Sequence, residues 1–414
     1  MDELSVAFGA LSLNGIFRIL DLPSELFSSV CNHLDIGSLL SIRLVSRGIS
    51  DRSTFTFGTR SLVHLVALPR FDSLSVLLHF ARHKKYSRYV KTISISGEIG
   101  GSPSIPYVGM PLSTAEDMLT EAFRNFENLE TIRIDSFSYV HIHYRSPKAI
   151  GLRCGPMWLL SGQLRCDFSA LSHLFKVVIE SIRRANICDK IYLDLNLLVQ
   201  EASQYNNFSN SPIQTELFDL GSPFWKERLS LKVRKVELVP TVTSGWASDL
   251  AASCPDLKEL KLRGHDGRIS FDNNHGSVHV WQHLQVLILK DVHLDNTAIV
   301  DFLKAHHGTL THLNLTLVFL DNGTWADILQ TIHDLPALES LRLSSLGQSV
   351  PYTTAQQPTD ELSSVRCCNR SEILLALGAL LSDVSTYEEY DSSMVCHEID
   401  FTSANIALSS IKRS

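Results

Sequence analysis

No apolar run in this 414-residue chain approaches the roughly 18 residues of a membrane span, and Met1-Asp2-Glu3 carry acid where a secretory signal would carry Lys or Arg. Both lacks predict a soluble intracellular protein, cytoplasmic or nuclear, with no membrane partner. Positive charge is also scarce. With 37 basic against 44 acidic residues the formal net charge is -7, so there is no global basic field to hold nucleic acid. The eight cysteines (Cys31, Cys154, Cys166, Cys188, Cys254, Cys367, Cys368 and Cys396) include no C-x-x-C pair, and reduced thiols are expected.

Signs of chemistry are equally sparse. The Gly97–Ser104 loop lacks both G-x-G-x-x-G and a terminal Lys-Ser/Thr, and Pro103 and Pro106 interrupt any helix after it. No G-x-S-x-G elbow occurs, and nothing supplies a base or oxyanion hole to Cys367-Cys368 or Cys396-His397. His275, His279 and His283 recur every four residues near His265, but the Asp-Asn-Asn-His-Gly around them is turn chemistry without a completing Cys or carboxylate. The expectation is therefore no catalytic residue, no cofactor and no metal. What is present is 44% hydrophobic and 20% charged content, enough to fold two or three domains or a small module ahead of a repeat array.

Residues 16–50 contain two short helical patterns. Pro23 suits a helix start, and Leu26, Val30 and Leu34 follow at four-residue spacing. Asp35 can cap a second helix bearing Leu39, Leu40 and Leu44. About 40 residues bury too little apolar surface to be comfortably stable alone, so part of the apolar face should belong to a partner.

The stretch Leu22-Pro23-Ser24-Glu25-Leu26, Val30, Leu34-Asp35, Leu39-Leu40, Arg43, Val45-Ser46-Arg47 resembles an F-box. It departs from that pattern at Gly48-Ile49, where an aromatic residue is usual. The resemblance implies a three-helix module that binds the Skp-family adaptor of cullin-based ubiquitin ligases. It implies that Leu22, Pro23, Leu26, Val30, Leu34, Leu39, Val45 and Ser46 contact the adaptor or support that interface.

Farther on, Leu257-Lys-Glu-Leu-Lys-Leu262, Leu284–Leu289, Leu310–Leu315 and Leu338–Leu343 share L-x-x-L-x-L at starts 27, 26 and 28 residues apart, within the range of leucine-rich repeats. Weaker copies begin at Val90, Leu129 and Val233. Helical patterns lie between them: Asp295-Asn296 before Ile299, Phe302 and Leu303; Asn322–Thr324 before Trp325, Ile328, Leu329 and Ile332; and a Ser113/Glu116 capping box before Met118, Leu119, Ala122 and Phe123. Stacked strand–helix units explain this spacing better than unconnected crossovers of a Rossmann-like sheet. The consensus Asn/Cys position holds His265, Val292, Val318 and Leu346, so no asparagine ladder is expected.

The predicted fold is α/β: a tail (1–15), an F-box (16–58), a linking helix (59–88) with Leu74, Leu77, Leu78 and Ala81 as its apolar positions, an irregular leucine-rich-repeat solenoid (89–346), a loop (347–371) and a C-terminal cap and tail (372–414). The expected function is substrate recognition for an SCF-type ligase, binding the Skp-family adaptor, through it a cullin, and an unknown target. The alternative is a repeat scaffold that binds the adaptor without directing ubiquitination. Residues between the repeat leucines point away from the core. There Arg133, Lys235, Lys261, Arg263, Lys290 and Arg342 face only Asp135, Glu237 and Glu259, predicting an acidic or phosphorylated target. The named target-binding residues are Lys261, Arg263, Lys290 and Arg342, with Val286 and Ile288 as an apolar anchor.

Overall fold

The computed structural model describes residues 19–96, 111–135, 168–197, 220–238, 250–269, 279–348, 364–387 and 401–411. The Gly97–Ser104 loop, His275, Cys396-His397 and most of the Pro/Gln/Thr-rich run lie outside them.

The N-terminal helices form where the local chemistry directs. Helix α1 (Ser24–His33) starts after Pro23, and α2 (Ile36–Val45) starts at Asp35, whose carboxylate accepts the Ser38 N–H at 2.9 Å. Ser46 caps α3 (Arg47–Arg52) by accepting the Ile49 N–H, and α4 (Thr54–Phe57) follows. Their shared core is small: Leu22, Phe27, Cys31, Leu39 and Ile49. Ile49, at the departure from the F-box pattern, is a core residue.

A ten-stranded sheet makes up the body of this α/β protein, with strands in chain order. These are β1 (His64–Ala67), β2 (Thr92–Ser96), β3 (Thr131–Asp135), β4 (Tyr192–Leu197), β5 (Val233–Leu238), β6 (Glu259–Ile269), β7 (Val286–Leu294), β8 (His312–Leu320), β9 (Ser340–Gln348) and β10 (Ser364–Cys367). All neighbours pair in parallel except β9 and β10, which are antiparallel. Parallel neighbours require crossovers. These include α5 (Phe71–Arg82), α6 (Lys84–Ser87), α7 (Leu112–Asn125), α8 (Phe168–Ala185), α9 (Asn296–Ala305) and α10 (Trp325–His333); α11 (Arg370–Tyr387) and α12 (Thr402–Ile411) follow the sheet. The repeat leucines and the apolar helix faces join one continuous core running from Leu62 to Leu408.

In β7, β8 and β9 the alternation of buried residues is reset at one position. Asp291, Leu317 and Ser345 have φ of 57°, 55° and 50°, and the register passes over Asp291 and Leu317. One extra residue moves the phase by one, so Leu287 and Leu289 and then Val292 and Leu294 all reach the core. A left-handed conformation costs an L-residue roughly 1–2 kcal/mol, and the pairing on both sides holds it there. The same reset explains why Val292, Val318 and Leu346 stand at the consensus asparagine position: each is buried.

Several expectations need correction. The segment read as one linking helix contains β1 ahead of α5, although Leu74, Leu77, Leu78 and Ala81 are buried as predicted. The Ser113/Glu116 capping box does not form, because α7 begins at Leu112 with Pro111 as its N-cap and without a side-chain cap. The expected loop contains β10, and α12 lies in the expected tail. Strand β4 lacks the L-x-x-L spacing that marks the other repeats: Ile191-Tyr-Leu-Asp-Leu-Asn-Leu197 only alternates.

The repeated Leu-Asp-Asn at Leu294 and Leu320 forms a latch between two crossovers. Asp295 caps α9 through the Ala298 N–H at 3.0 Å, Asn322 Oδ1 accepts the Asn296 N–H at 3.0 Å, and Asn322 Nδ2 donates to Asp295 at 2.6 Å. Gly323 completes the turn at φ 73°, where an added Cβ would overlap the Asn296 side chain. Gly323→Ala is therefore expected to destabilise the chain by about 2 kcal/mol or more, measured by chemical denaturation.

Candidate interaction surfaces

The first surface belongs to α2. Leu39 and Arg43 face inward, whereas Ile36, Leu40 and Leu44, four residues apart, face outward as a continuous stripe. Leu44 is 89% exposed and Val45, at the helix end, 73%. Both sides of this helix are thus apolar, and among the described residues nothing covers the outer one. Of the eight positions expected at an adaptor interface, Pro23 and Val45 are exposed; Leu26, Val30, Leu34 and Ser46 are half-buried; Leu22 and Leu39 are core. The exposed Ile36, Leu40 and Leu44 were not among them. Their four-residue spacing was legible, but sequence alone does not say which of two adjacent leucines faces inward.

This module is fastened to the sheet by a polar clamp. Arg43 lies 4.4 Å over the Phe57 ring and donates to Ser50 O at 2.9 Å, Ser53 Oγ at 3.0 Å and Tyr86 Oη at 3.2 Å. Gly58 packs so closely on the Tyr89 ring that any side chain there would overlap it. Phe57 touches both cores.

The second surface is the sheet face opposite the leucines. One register row runs Val66, Ser94, Arg133, Asp194, Lys235, Glu259, Val286, His312, Ser340; the next runs Ser96, Asp135, Asn196, Glu237, Lys261, Ile288, Asn314, Arg342, Arg366. Over β3–β6 the charges alternate and pair within the face: Arg133 with Asp135 at 2.7 Å, Lys235 and Lys261 with Glu259 at 3.0 and 2.7 Å, and Arg263 with Glu237 at 2.8 Å. Burial pushes the Glu259 carboxyl up, but Lys261 and Lys235 outweigh it and hold that group below its ordinary range. Burial keeps the Asp194 carboxyl above its ordinary range, against Lys235 and Arg133.

Lys261 and Arg263 are therefore neutralised in place. The excess of positive charge expected over the whole face is confined to β7–β10, where Lys290 and Arg342 are exposed beside half-buried Val286 and Ile288. Arg366 joins them; its strand carries no repeat motif, so sequence gave no sign of it.

His279 and His283 are not brought together as ligands. His279 packs on Trp281, with ring centroids 4.5 Å apart, and His283 lies 4.0 Å from Asp256. Among the described residues no group of three His, Cys, Asp or Glu has the geometry of a metal site, and no helix is long and apolar enough to cross a membrane. Cys367 is buried and Cys368 exposed.

His306, unremarked in the sequence, is a buried strut. Its Nε2 accepts the Trp281 N–H at 3.0 Å and its Nδ1 lies 2.8 Å from Phe302 O, so Nδ1 donates and the ring is neutral. Burial lowers its pKa below the ordinary 6.5, more than the Phe302 bond restores; burial also lowers those of His64 and His279. A histidine whose folded pKa is depressed contributes stability that is full above its unfolded value of about 6.5 and is lost as pH falls below it. Denaturation midpoints measured from pH 7.5 down to 5 should fall, and His306→Gln should flatten part of that slope.

No family model matches the chain, and no curated protein matches it.

Proposed function

We propose that the chain is a substrate-recognition adaptor of an SCF-type ubiquitin ligase. Residues 16–58 act as an F-box that docks a Skp-family adaptor, and the strand–helix array behind them is an irregular leucine-rich-repeat solenoid that captures a target. The observation that carries this reading is the outward stripe of Ile36, Leu40 and Leu44 on a module with only five buried core residues. A module this small gains stability by burying that stripe against a partner. The order of the L-P-S-E-L to V-S-R elements supports assigning that partner as a Skp-family protein. Supporting the repeat reading are ten strands in chain order and the L-x-x-L-x-L spacing.

No catalytic residue is needed for this role. The chain raises the effective concentration of target lysines near a ubiquitin-charged enzyme held elsewhere. The Arg43 clamp then has a purpose: a fixed module holds the captured target in one orientation. Full-length protein should co-purify from cells with the adaptor and a cullin, and Leu44→Ala with Val45→Ala should remove both. Recovery of the adaptor without a cullin would reduce the role to that of a scaffold.

A further inference from the structure

On the open sheet face, Arg342 of β9 and Arg366 of β10 are direct register partners, both exposed and both opposite the core residues Leu341, Leu343, Val365 and Cys367. Like charges placed directly across an antiparallel pair are destabilising. Neither arginine has an acidic partner among the described residues, and the register rows of β7–β10 carry no acidic side chain. The nearest acid on these strands is Asp291, at the bulge of β7. The cations of the face named above on β3–β6 are all paired, whereas Lys290, Arg342 and Arg366 have no ion pair among the described residues, and of these the two arginines stand directly opposite each other.

Two adjacent guanidinium groups match a dianion better than a single carboxylate, because each fork binds two oxygens and their summed charge is neutralised by one phosphoryl group. The same row continues through Asn314, whose Oδ1 accepts from Thr316 Oγ1 at 2.8 Å, to the half-buried Ile288. With strands roughly 4.8 Å apart, the point between Arg342 and Arg366 lies roughly 12 Å from Ile288, or three to four residues of extended chain.

We propose that Arg342 and Arg366 bind the phosphoryl group of a phosphorylated target segment that crosses the strands and seats an apolar side chain on Ile288 and Val286. This rests on reading the open face as the target-capturing surface. It replaces paired Lys261 and Arg263 with Arg366 and specifies the occupant. The apolar seat in the same row favours a segment over a free anion.

The test uses the full chain and labelled alanine–glycine peptides bearing one phosphoserine and one leucine four residues away, in both orders. The better order should bind at least tenfold more tightly than its serine or glutamate counterpart. Arg342→Gln with Arg366→Gln should remove that advantage, and Ile288→Ser should weaken binding about threefold. Arg366→Gln alone should raise the melting temperature by relieving repulsion, whereas an arginine with a structural role would lower it. Adaptor binding through α2 should be unchanged in all these variants, so loss of adaptor binding in the Leu44/Val45 variant and loss of phosphopeptide binding here report on separate readings. Equal binding by the double arginine variant, equal binding of the unphosphorylated peptide, or competition by inorganic phosphate as strong as by the peptide itself would overturn the proposal.

Discussion

Replacing Leu44 and Val45 together with alanine is expected to weaken binding to a purified Skp-family adaptor by roughly a hundredfold while leaving the melting profile of the chain unchanged. The size follows from burial. Each side chain is largely exposed in the free chain, and covering one contributes about 1.5 kcal/mol, so two account for about 3 kcal/mol. The unchanged stability follows because neither side chain belongs to the five-residue core of the module. Leu22 makes the contrast. It is a core residue despite its place in the L-P-S-E-L signature, so Leu22→Ala would cost about 2–5 kcal/mol of folding stability and confuse loss of structure with loss of contact. Calorimetric titration of the double variant, with circular dichroism alongside, separates the two. Wild-type affinity in a folded double variant would remove the α2 stripe as the docking surface.

Deleting residues 310–346 is expected to give an aggregating chain that melts without cooperativity. The deletion removes β8, α10 and most of β9, and leaves β7 with an unpaired edge and Leu287, Leu289, Val292 and Leu294 without their covering layer. Units that contact chiefly their neighbours cannot close over such a gap, and an open apolar edge pairs with other copies. Removing the N-terminal module should be far milder, because its core is separate apart from Phe57. The cut belongs near residue 63, since β1 and α5 contribute Leu65, Ala67, Leu74 and Leu77 to the large core, and starting at Tyr89 would strip the first strand from the sheet. Light scattering and thermal melts compare the two truncations; a monomeric, cooperative 310–346 deletion would count against the interdependence of the units.

Much of the scaffold was legible wherever one residue's local chemistry decides the structure. Asp35 and Asp295 were readable as helix caps because a carboxylate reaches the third N–H of the helix that follows it. The four strong L-x-x-L-x-L segments were readable as strands because their leucines recur at a spacing that packing of equal units imposes. Ser113 shows the limit: its spacing to Glu116 suits a cap, yet the helix starts two residues earlier, at Leu112 after Pro111, with Leu119, Ala122 and Phe123 in the core. Strand β4 shows another, since alternation without the longer period is too common to single out.

The sequence by itself determined which residues are apolar, at what period they recur and where the chain turns, and from these the α/β class and the strand–helix units followed. Only the tertiary structure decided which side of α2 faces out and which cations are already satisfied. Leu39 and Leu40 are equal in hydrophobicity, and burial separates them only when Phe27 and Ile49 occupy one side of the helix. Arg263 and Lys290 are equal in charge and are register partners, but Arg263 reaches Glu237 of β5 at 2.8 Å, whereas β8 offers Lys290 only Thr316. Arg366 stands 24 residues from Arg342 in the chain and meets it solely because β10 reverses direction against β9. A surface is a set of neighbours across strands, and sequence order carries no record of those neighbours until the sheet is assembled.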